Sequence, residues 1–513
     1  MTKRDYLRIG SHKDLEGGDR HLYRFFEMAP GILSWGTLIG IVLLSWLWPI
    51  GAAVFVLLFS LSWVIRAFYL MAHLRSNWLQ LRHFEKVDWK RRMKNLKWHS
   101  IYQLVVLPTY NEPDEVIMDA LESLMHTQWP RERFIVLLAM EERAGEEARA
   151  RAERIKTRFA HEFGSFLVTF HPKDLPGEMP GKGSNASYAL KKATEKIIDA
   201  KGISYEDVIV SSFDIDTQVY PGYFYCVSYH FLTAEKPYRS SFQPVPLYNN
   251  NIWSAPFLSR VVATSNTFWQ MMEQERPERL VTFSSHSMSL KMLVEVGYWQ
   301  TNIVSEDSRI FWNGFLYYDG DYRVVPLLYP VSMDANVGKS FWQTAKQVYR
   351  QQRRWMWGAE NIPYLLYGCI KNKKIPWQKK AYAIFIQVEG FWSLATNPPL
   401  LLFAGWLPIF LGGELFNTTL LSYNLPRLLQ FLMSSALLGL ILLVIVSFSF
   451  LPPRPKGKSV FAFLGQIVQW IFVPITILLF GSVPGLETQT RLIFNKPLGF
   501  WVTPKYRKKI TEQ

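Results

Sequence analysis

The chain has 513 residues, 49% apolar and 19% charged, with a formal charge of +15 and a mean hydropathy near zero. That length holds one large or two ordinary domains, and the flat average hides two different materials, because the apolar residues are clustered. Two cysteines, Cys226 and Cys369, exclude a disulfide framework and a cysteine metal site.

Residues 1–30 carry mixed charge and read as a cytosolic lead segment. Residues 31–48 and 51–65 are uncharged runs separated by Pro49, each close to spanning length, and they predict a membrane hairpin over 31–72. With a long mixed-charge lead and no small-residue cleavage site, the hairpin is expected to stay as an anchor and not to be removed as a signal. Residues 75–97 then hold Arg75, Arg82, Lys86, Lys90, Arg91, Arg92, Lys94 and Lys97 against Glu85 and Asp88. Positive flanks stay cytoplasmic, so both hairpin ends face the cytosol and this charge is assigned to anionic head groups. Basic residues beside membrane spans, not gathered in a separate basic domain, argue against nucleic acid as a partner.

From residue 101 to about 329, short apolar runs alternate with amphipathic stretches. Residues 103–108, 134–140, 166–171 and 208–213 read as buried strands, with helices over 115–128, 146–163 and 187–200. The alternation predicts a mostly parallel sheet with helices on both faces. Ligands of such sheets bind beyond the carboxyl ends of the strands, where Thr109-Tyr110-Asn111-Glu112 and Asp214-Ile215-Asp216 fall. An amphipathic interface region follows to about residue 378, then hydrophobic segments 381–412, 428–451 and 461–484. If 381–412 crosses once, the carboxyl terminus is outside; if Asn397-Pro398-Pro399 divides it, the terminus is inside. Charge does not decide, since the basic clusters 454–458 and 505–509 flank the last segment on opposite sides.

The motifs that carry chemistry appear in a fixed order: Asp214-Ile215-Asp216, Ser305-Glu306-Asp307, then Gln351-Gln352-Arg353-Arg354-Trp355. Paired carboxylates at a strand end hold a hard divalent ion against the diphosphate of an activated sugar. The i, i+2 spacing of Asp214 and Asp216 points both the same way on extended backbone. An acceptor hydroxyl attacking an anomeric carbon must lose a proton, which needs a carboxylate opposite the leaving group. Asp307 is the candidate base and Glu306 the alternative; the bland reading is a cap for a helix starting near Ser308. Gln351, Arg354 and Trp355 at i, i+3 and i+4 share one helix face, offering a planar fork for phosphate and an apolar plate for a sugar ring. Simple anchoring at the bilayer interface is the alternative for that helix.

With Thr109-Tyr110-Asn111-Glu112-Pro113 ahead of them, these motifs resemble the signature of membrane-embedded family 2 glycosyltransferases, the group of the cellulose and hyaluronan synthases, over about residues 100–358. Phe500-Trp501-Val502-Thr503-Pro504-Lys505 further resembles the F-x-V-T-x-K gating loop of bacterial cellulose synthases. The resemblance implies an α/β GT-A (Rossmann-like) cytosolic domain inserted between transmembrane α-helices. It implies inverting transfer from a nucleotide-diphosphate sugar, with Mg²⁺ or Mn²⁺, to a growing glycan extended at its non-reducing end. By motif position, Thr109, Glu112, Lys182 and Asn185 would lie around the nucleotide, Asp216 and Asp214 would hold the metal, and Asp307 would be the base. Gln351, Arg354 and Trp355 would serve acceptor and diphosphate, and Thr503 and Lys505 would contact the diphosphate from a cytosolic tail, which requires an even number of crossings after the catalytic domain. Without the resemblance, Gly181 to Asn185 is only a loop before a helix.

One departure concerns the base: where the family's second strand ends in paired aspartates, this chain has Met140-Glu141-Glu142-Arg143. Glu141 or Glu142 is the substitute, with UDP favoured and GDP the alternative. His286, in Ser284-Ser285-His286-Ser287, reads as a structural histidine more than a ligand, and Glu389, costly in its apolar segment, is expected to face a translocation path. The resulting division is a lead segment 1–30, hairpin 31–72, GT-A domain 73–345, interface helices 346–380, membrane helices 381–485 and cytosolic tail 486–513. The expected protein is a multi-pass enzyme of the cell (inner or plasma) membrane with its catalytic domain in the cytosol. It polymerises a β-linked polysaccharide from a nucleotide-sugar donor; a non-processive transferase and a non-enzymatic export or glycan-binding subunit are the alternatives.

Overall fold

The computed structural model describes residues 5–453, 465, 467–499, 501–504 and 506. An eight-stranded sheet contains β1 (Tyr102–Pro108), β2 (Phe134–Glu141), β3 (Ser165–His171), β4 (Val208–Ser212), β5 (Gln218–Val219), β6 (Ser240–Leu247), β7 (His286–Ser289) and β8 (Arg323–Ser332), in the order β3-β2-β1-β4-β7-β6-β8-β5. The half from β3 to β4 is parallel. Beyond it, β7 is antiparallel to both β4 and β6, β8 runs parallel to β6, and β5 is antiparallel to β8. The sheet is therefore mixed, a correction to the mostly parallel expectation. The strands outside the parallel half are short, polar or broken by Pro244, Pro246, Pro326 and Pro330, so they do not read as apolar runs; the register of β6 on β8 shifts between Gln243 and Val245.

Alternate side chains of the central strands enter opposite cores, as a period of two requires. Leu104, Val106, Ile135, Leu137, Val208 and Val210 face one cluster, with Ala186 and Leu190 of helix Lys182–Ala193 and Ile310 of helix Glu306–Tyr317. Val105, Leu107, Val136, Leu138 and Ile209 face the other, beneath helices Asp114–Met125, Gly145–Phe159 and Tyr223–Thr233. Each fully buried aliphatic side chain contributes about 2 kcal/mol, which fixes the strand ends firmly. Because β7 is reversed, its amino end shares a rim with the carboxyl ends of its neighbours: Ser212 pairs with His286, and Leu247 with Ser332.

Three helices among the described residues are long and apolar enough to cross a membrane: Gly17–Leu47, Pro49–Glu85 and Gln469–Ile493. The first two meet at Trp48, and Pro49 opens the second, where its missing N–H costs nothing. That second helix runs unbroken through residue 72 and lays Leu74 and Leu81 against Val245, Leu247, Phe268 and Met271. Helix Trp377–Phe403 passes through Asn397-Pro398-Pro399 without a break. Pro399 has no N–H for the carbonyl of Ala395, and the Ser482 hydroxyl donates to that carbonyl instead. Glu389, placed by sequence in apolar surroundings, meets Arg279 at 3.0 Å and Arg66 at 3.7 Å.

Helix Leu420–Ser449 begins near Phe416, which packs with Ala53 and Leu425, and ends where Arg82 donates to the carbonyl of Ser449 and Phe450 meets Phe268. It therefore runs in the same direction as Pro49–Glu85. Helix Gln469–Ile493 has domain-side partners at both ends, Arg260 on Gln469 and Arg24 on the carbonyl of Leu492.

Candidate active site

Chemistry-bearing residues gather on the rim formed by the carboxyl ends of β1, β2, β4, β6 and β8. Gly181 caps helix Lys182–Ala193, so Lys182 stands on its first turn and not in a free loop. Its Nζ donates to Asp214 Oδ1 at 2.7 Å and to both carboxylate oxygens of Asp307, at 3.0 and 2.9 Å. Asp214 also accepts the Ser284 hydroxyl at 2.6 Å, and the backbone carbonyl of Asp307 accepts from Thr282 Oγ1 at 2.6 Å. One ammonium thus joins the loop after β4, the helix after β3 and the first turn of helix Glu306–Tyr317. Burial disfavours the Lys182 charge, but Asp214 and Asp307, then Glu306, outweigh that penalty and its pKa is raised.

Helix Glu306–Tyr317 starts at Glu306 itself, with Ser305 at its cap and no side-chain capping bond. Glu306 is 3% exposed. Burial first, then the neighbouring Asp307 charge, pushes its carboxyl up to about 8, with Lys182 and Arg354 pulling partly the other way. Glu306 is therefore held protonated near neutral pH, while Asp307 lies beside an ammonium. Arg354 also opposes the rise in Tyr248, whose hydroxyl is pushed up by burial and by Asp214 and Asp216. His286 is fully buried, its Nδ1 2.6 Å from the carbonyl of Phe283 and 3.9 Å from Asp307; burial lowers its pKa.

At the ends of β1 and β2, Thr109 Oγ1 and the Tyr110 N–H both donate to Glu112 Oε2, each at 2.7 Å. Asn185 Nδ2 donates to the carbonyl of Ala139 at 2.7 Å. Glu112 and Asn185 thus spend polar groups on shaping the rim. Glu141 is 4% exposed and paired with Arg143, whose guanidinium lies 4.4 Å over the Tyr110 ring. The position expected to read the base is thus a neutralised carboxylate beside a cation and an aromatic ring.

Asp216 is buried, and its Oδ2 accepts the Asp334 N–H at 3.0 Å; Asn250 Nδ2 bridges the Asp216 carbonyl and Asp334 Oδ1, both at 3.0 Å. No group of three or more His, Cys, Asp or Glu capable of holding a metal occurs among the described residues. Mg²⁺ or Mn²⁺ at Asp214 and Asp216 would share Asp214 with Lys182 and Ser284 and Asp216 with the Asp334 N–H; two carboxylates completed by phosphate and water suit the chemistry of such an ion. Gln351 and Trp355, on helix Phe341–Met356, line a narrow polar cleft with Tyr248, Asn266, Asp334 and Asn336. The Tyr248 and Trp355 rings are 6.4 Å apart.

Sequence reasoning missed Tyr248, Asn250 and Asp334. The available signal was position: Tyr248 directly follows β6 and Asp334 stands two residues past the end of β8, much as Thr109 follows β1. In the tail, Arg350 lies 5.5 Å over the Trp501 ring, Leu498 packs with Val304 and Trp357, and Thr503 is 7% exposed with no hydrogen-bond partner for its hydroxyl among the described residues. Lys505 and Phe500 lie outside the described residues. The structure thus brings Lys182, Asp214, Glu306 and Asp307 together, with Asp216 and the cleft of Gln351 and Trp355 joined to them through Asp334.

The sequence matches no protein-family model and no curated protein. Among solved structures, the fold is similar to the mannosyltransferase PcManGT from Pyrobaculum calidifontis in complex with GDP-Man and Mn²⁺, at a TM-score of 0.40 and 14% identity, covering 72% of this chain and 99% of that one. It is also similar to residues 1–349 of TarS from S. aureus in complex with UDP-GlcNAc, at a TM-score of 0.35 and 13% identity, covering 70% of this chain and 95% of that one.

Proposed function

We propose that the protein is a membrane-bound inverting glycosyltransferase that extends a β-linked glycan from a nucleotide-diphosphate sugar on the cytosolic side. The observation that carries this reading is the Lys182 ammonium held between Asp214 and Asp307, because it joins three sequence-distant segments at the scale of one reacting bond. Asp307 takes the proton of the acceptor hydroxyl, and that oxygen attacks the anomeric carbon. The bond to the diphosphate breaks, its electron pair leaves on the phosphate oxygen, and the configuration inverts. Lys182 and Arg354 supply positive charge to the leaving group, in concert with Thr503 and Lys505 of the tail. Protonated Glu306 adds no competing charge beside the base.

Asp214 and Asp216 would hold Mg²⁺ or Mn²⁺, which when bound supplies further neutralisation of the diphosphate. Trp355 and Tyr248 flank the acceptor, giving a growing polymer a surface to rest on between additions; this supports processive synthesis. The path of helix Leu420–Ser449 alongside Pro49–Glu85 in the same direction, toward the domain side, with domain-side partners at both ends of Gln469–Ile493, supports an even number of crossings and a cytosolic tail. A UDP-sugar is the favoured donor. In membranes given labelled nucleotide sugars, Asp307→Asn is expected to lose transfer by at least about 100-fold while donor binding persists. Full transfer in that variant would falsify the assignment, and product sizing separates polymer from single addition.

A further inference from the structure

We infer that Glu360, with Asn361, is a positioning residue that fixes the Asp307 carboxylate relative to the helix bearing Gln351, Arg354 and Trp355; the catalytic half of this inference rests on the transferase reading above. Glu360 is 8% exposed and its carboxylate is filled by donors from two directions. Oε1 accepts the N–H of Val304 at 3.1 Å, the N–H of Ser305 at 2.9 Å and the Ser305 hydroxyl at 2.6 Å. Oε2 accepts the indole N–H of Trp357 at 2.7 Å. The first set lies immediately before Glu306 and Asp307, and Trp357 lies two residues beyond Trp355 in the chain.

Asn361 secures the other side of the same turn. Its Nδ2 donates to the Ser308 hydroxyl at 2.9 Å, and its Oδ1 accepts from Arg309 Nε at 2.5 Å. Arg309 is fully buried, with Nη2 on the Glu360 carbonyl at 3.2 Å and its guanidinium 3.9 Å over the Tyr364 ring. Residues 304, 305, 308 and 309 are thus held by one dipeptide, and the residues between them carry the base. None of these bonds involves Thr109, Lys182, Asn185, Asp214 or Asp216, so their loss misplaces Asp307 without removing a residue assigned to the donor. A misplacement of about 1 Å is worth about 100-fold in rate.

The donor arithmetic gives a test beyond simple truncation. In Glu360→Gln the amide oxygen can keep the Val304 and Ser305 donors, but its NH₂ then faces the Trp357 N–H, donor against donor. Adding Trp357→Phe removes that conflict. The full-length protein in its membrane is compared as wild type, Glu360→Ala, Glu360→Gln and Glu360→Gln with Trp357→Phe. Measurements are amide hydrogen exchange without ligand and steady-state turnover of UDP-glucose, UDP-GlcNAc and GDP-mannose.

Glu360→Ala is expected to raise exchange in residues 303–309 but not in β1 to β4, and to lower kcat about 100-fold with donor KM within about twofold. Glu360→Gln falls less, and Trp357→Phe restores part of its kcat. Unchanged exchange in 303–309 overturns the inference. A kcat loss that tracks general loosening of the sheet, or a further fall on adding Trp357→Phe, overturns it too. A wild type that consumes none of these donors overturns the transferase reading instead, while the exchange result still decides whether Glu360 fixes the loop.

Discussion

Replacing Lys182 with Met keeps the length of the side chain and removes its charge. The ammonium lies 2.7 Å from Asp214 and 2.9 to 3.0 Å from Asp307. At an effective dielectric near 20, each such pair is worth about 6 kcal/mol before the cost of burying the ammonium is subtracted. Breaking a buried pair typically costs about 3–5 kcal/mol. Here the lower end applies, because Asp214 and Asp307 keep 30% and 21% side-chain exposure and can rehydrate. Half of a 3 kcal/mol competition at Asp214 corresponds to roughly tenfold in cation affinity. Lys182→Met is therefore expected to bind Mn²⁺ about tenfold more tightly, followed by the Mn²⁺ dependence of the melting midpoint. Turnover of nucleotide sugar should fall about 100-fold, since the fixed positive charge at the leaving group is gone. Tighter metal with slower chemistry is the diagnostic combination; if both Mn²⁺ affinity and turnover match the wild type, Lys182 does not bridge the two carboxylates.

Glu306 gives a pH-dependent expectation. Its folded pKa, about 8 against an ordinary 4.5, means the folded chain keeps a proton that the unfolded chain releases. Stability therefore falls as pH rises from about 4.5 to 8, by up to about 1.4 kcal/mol per pH unit. Glu306→Gln escapes that loss, so its melting midpoint should gain on the wild type at pH 8 relative to pH 5; a difference constant with pH argues against a buried protonated carboxyl. Trp355→Ala removes one of the two rings beside the cleft and is expected to raise acceptor KM about fivefold and shorten products, with donor KM unchanged. Equal changes in donor and acceptor KM would place Trp355 outside the acceptor path.

The parallel half of the sheet was legible because Val105, Leu107, Val136 and Leu138 lie in continuous apolar runs whose ends are marked by polar turns. Strands β5 to β8 were not, since Pro244, Pro246, Pro326 and Pro330 interrupt the apolar pattern and β7 is mostly serine and methionine at its face positions. Tertiary pairing, not local preference, makes them strands. Asp214, Glu306 and Asp307 could be singled out from motif order and Lys182 from the resemblance, yet the bridge from Lys182 to Asp214 and Asp307 could not, because it forms only once a helix start fixes the direction of that side chain. The Glu360 carboxylate was invisible for the same reason: its donors lie 55 or more residues earlier in the chain or within its own turn. Helical continuity through Pro398 and Pro399 depends on a hydroxyl from Ser482, which no local rule supplies.

The helix Pro49–Glu85 is 37 residues long, and its first charge is Arg66. The portion from Arg66 onward extends for about 30 Å at the helical rise. Packed along β6 through Leu74 and Leu81, that portion is a rigid stilt joining the uncharged run of the helix to the sheet. The cations from Lys86 to Lys97 sit at its foot, about 30 Å along the helix from the end of the uncharged run, which is about four Debye lengths at physiological salt. The separation between the uncharged run and the rim of the sheet is therefore set by a fixed length of backbone.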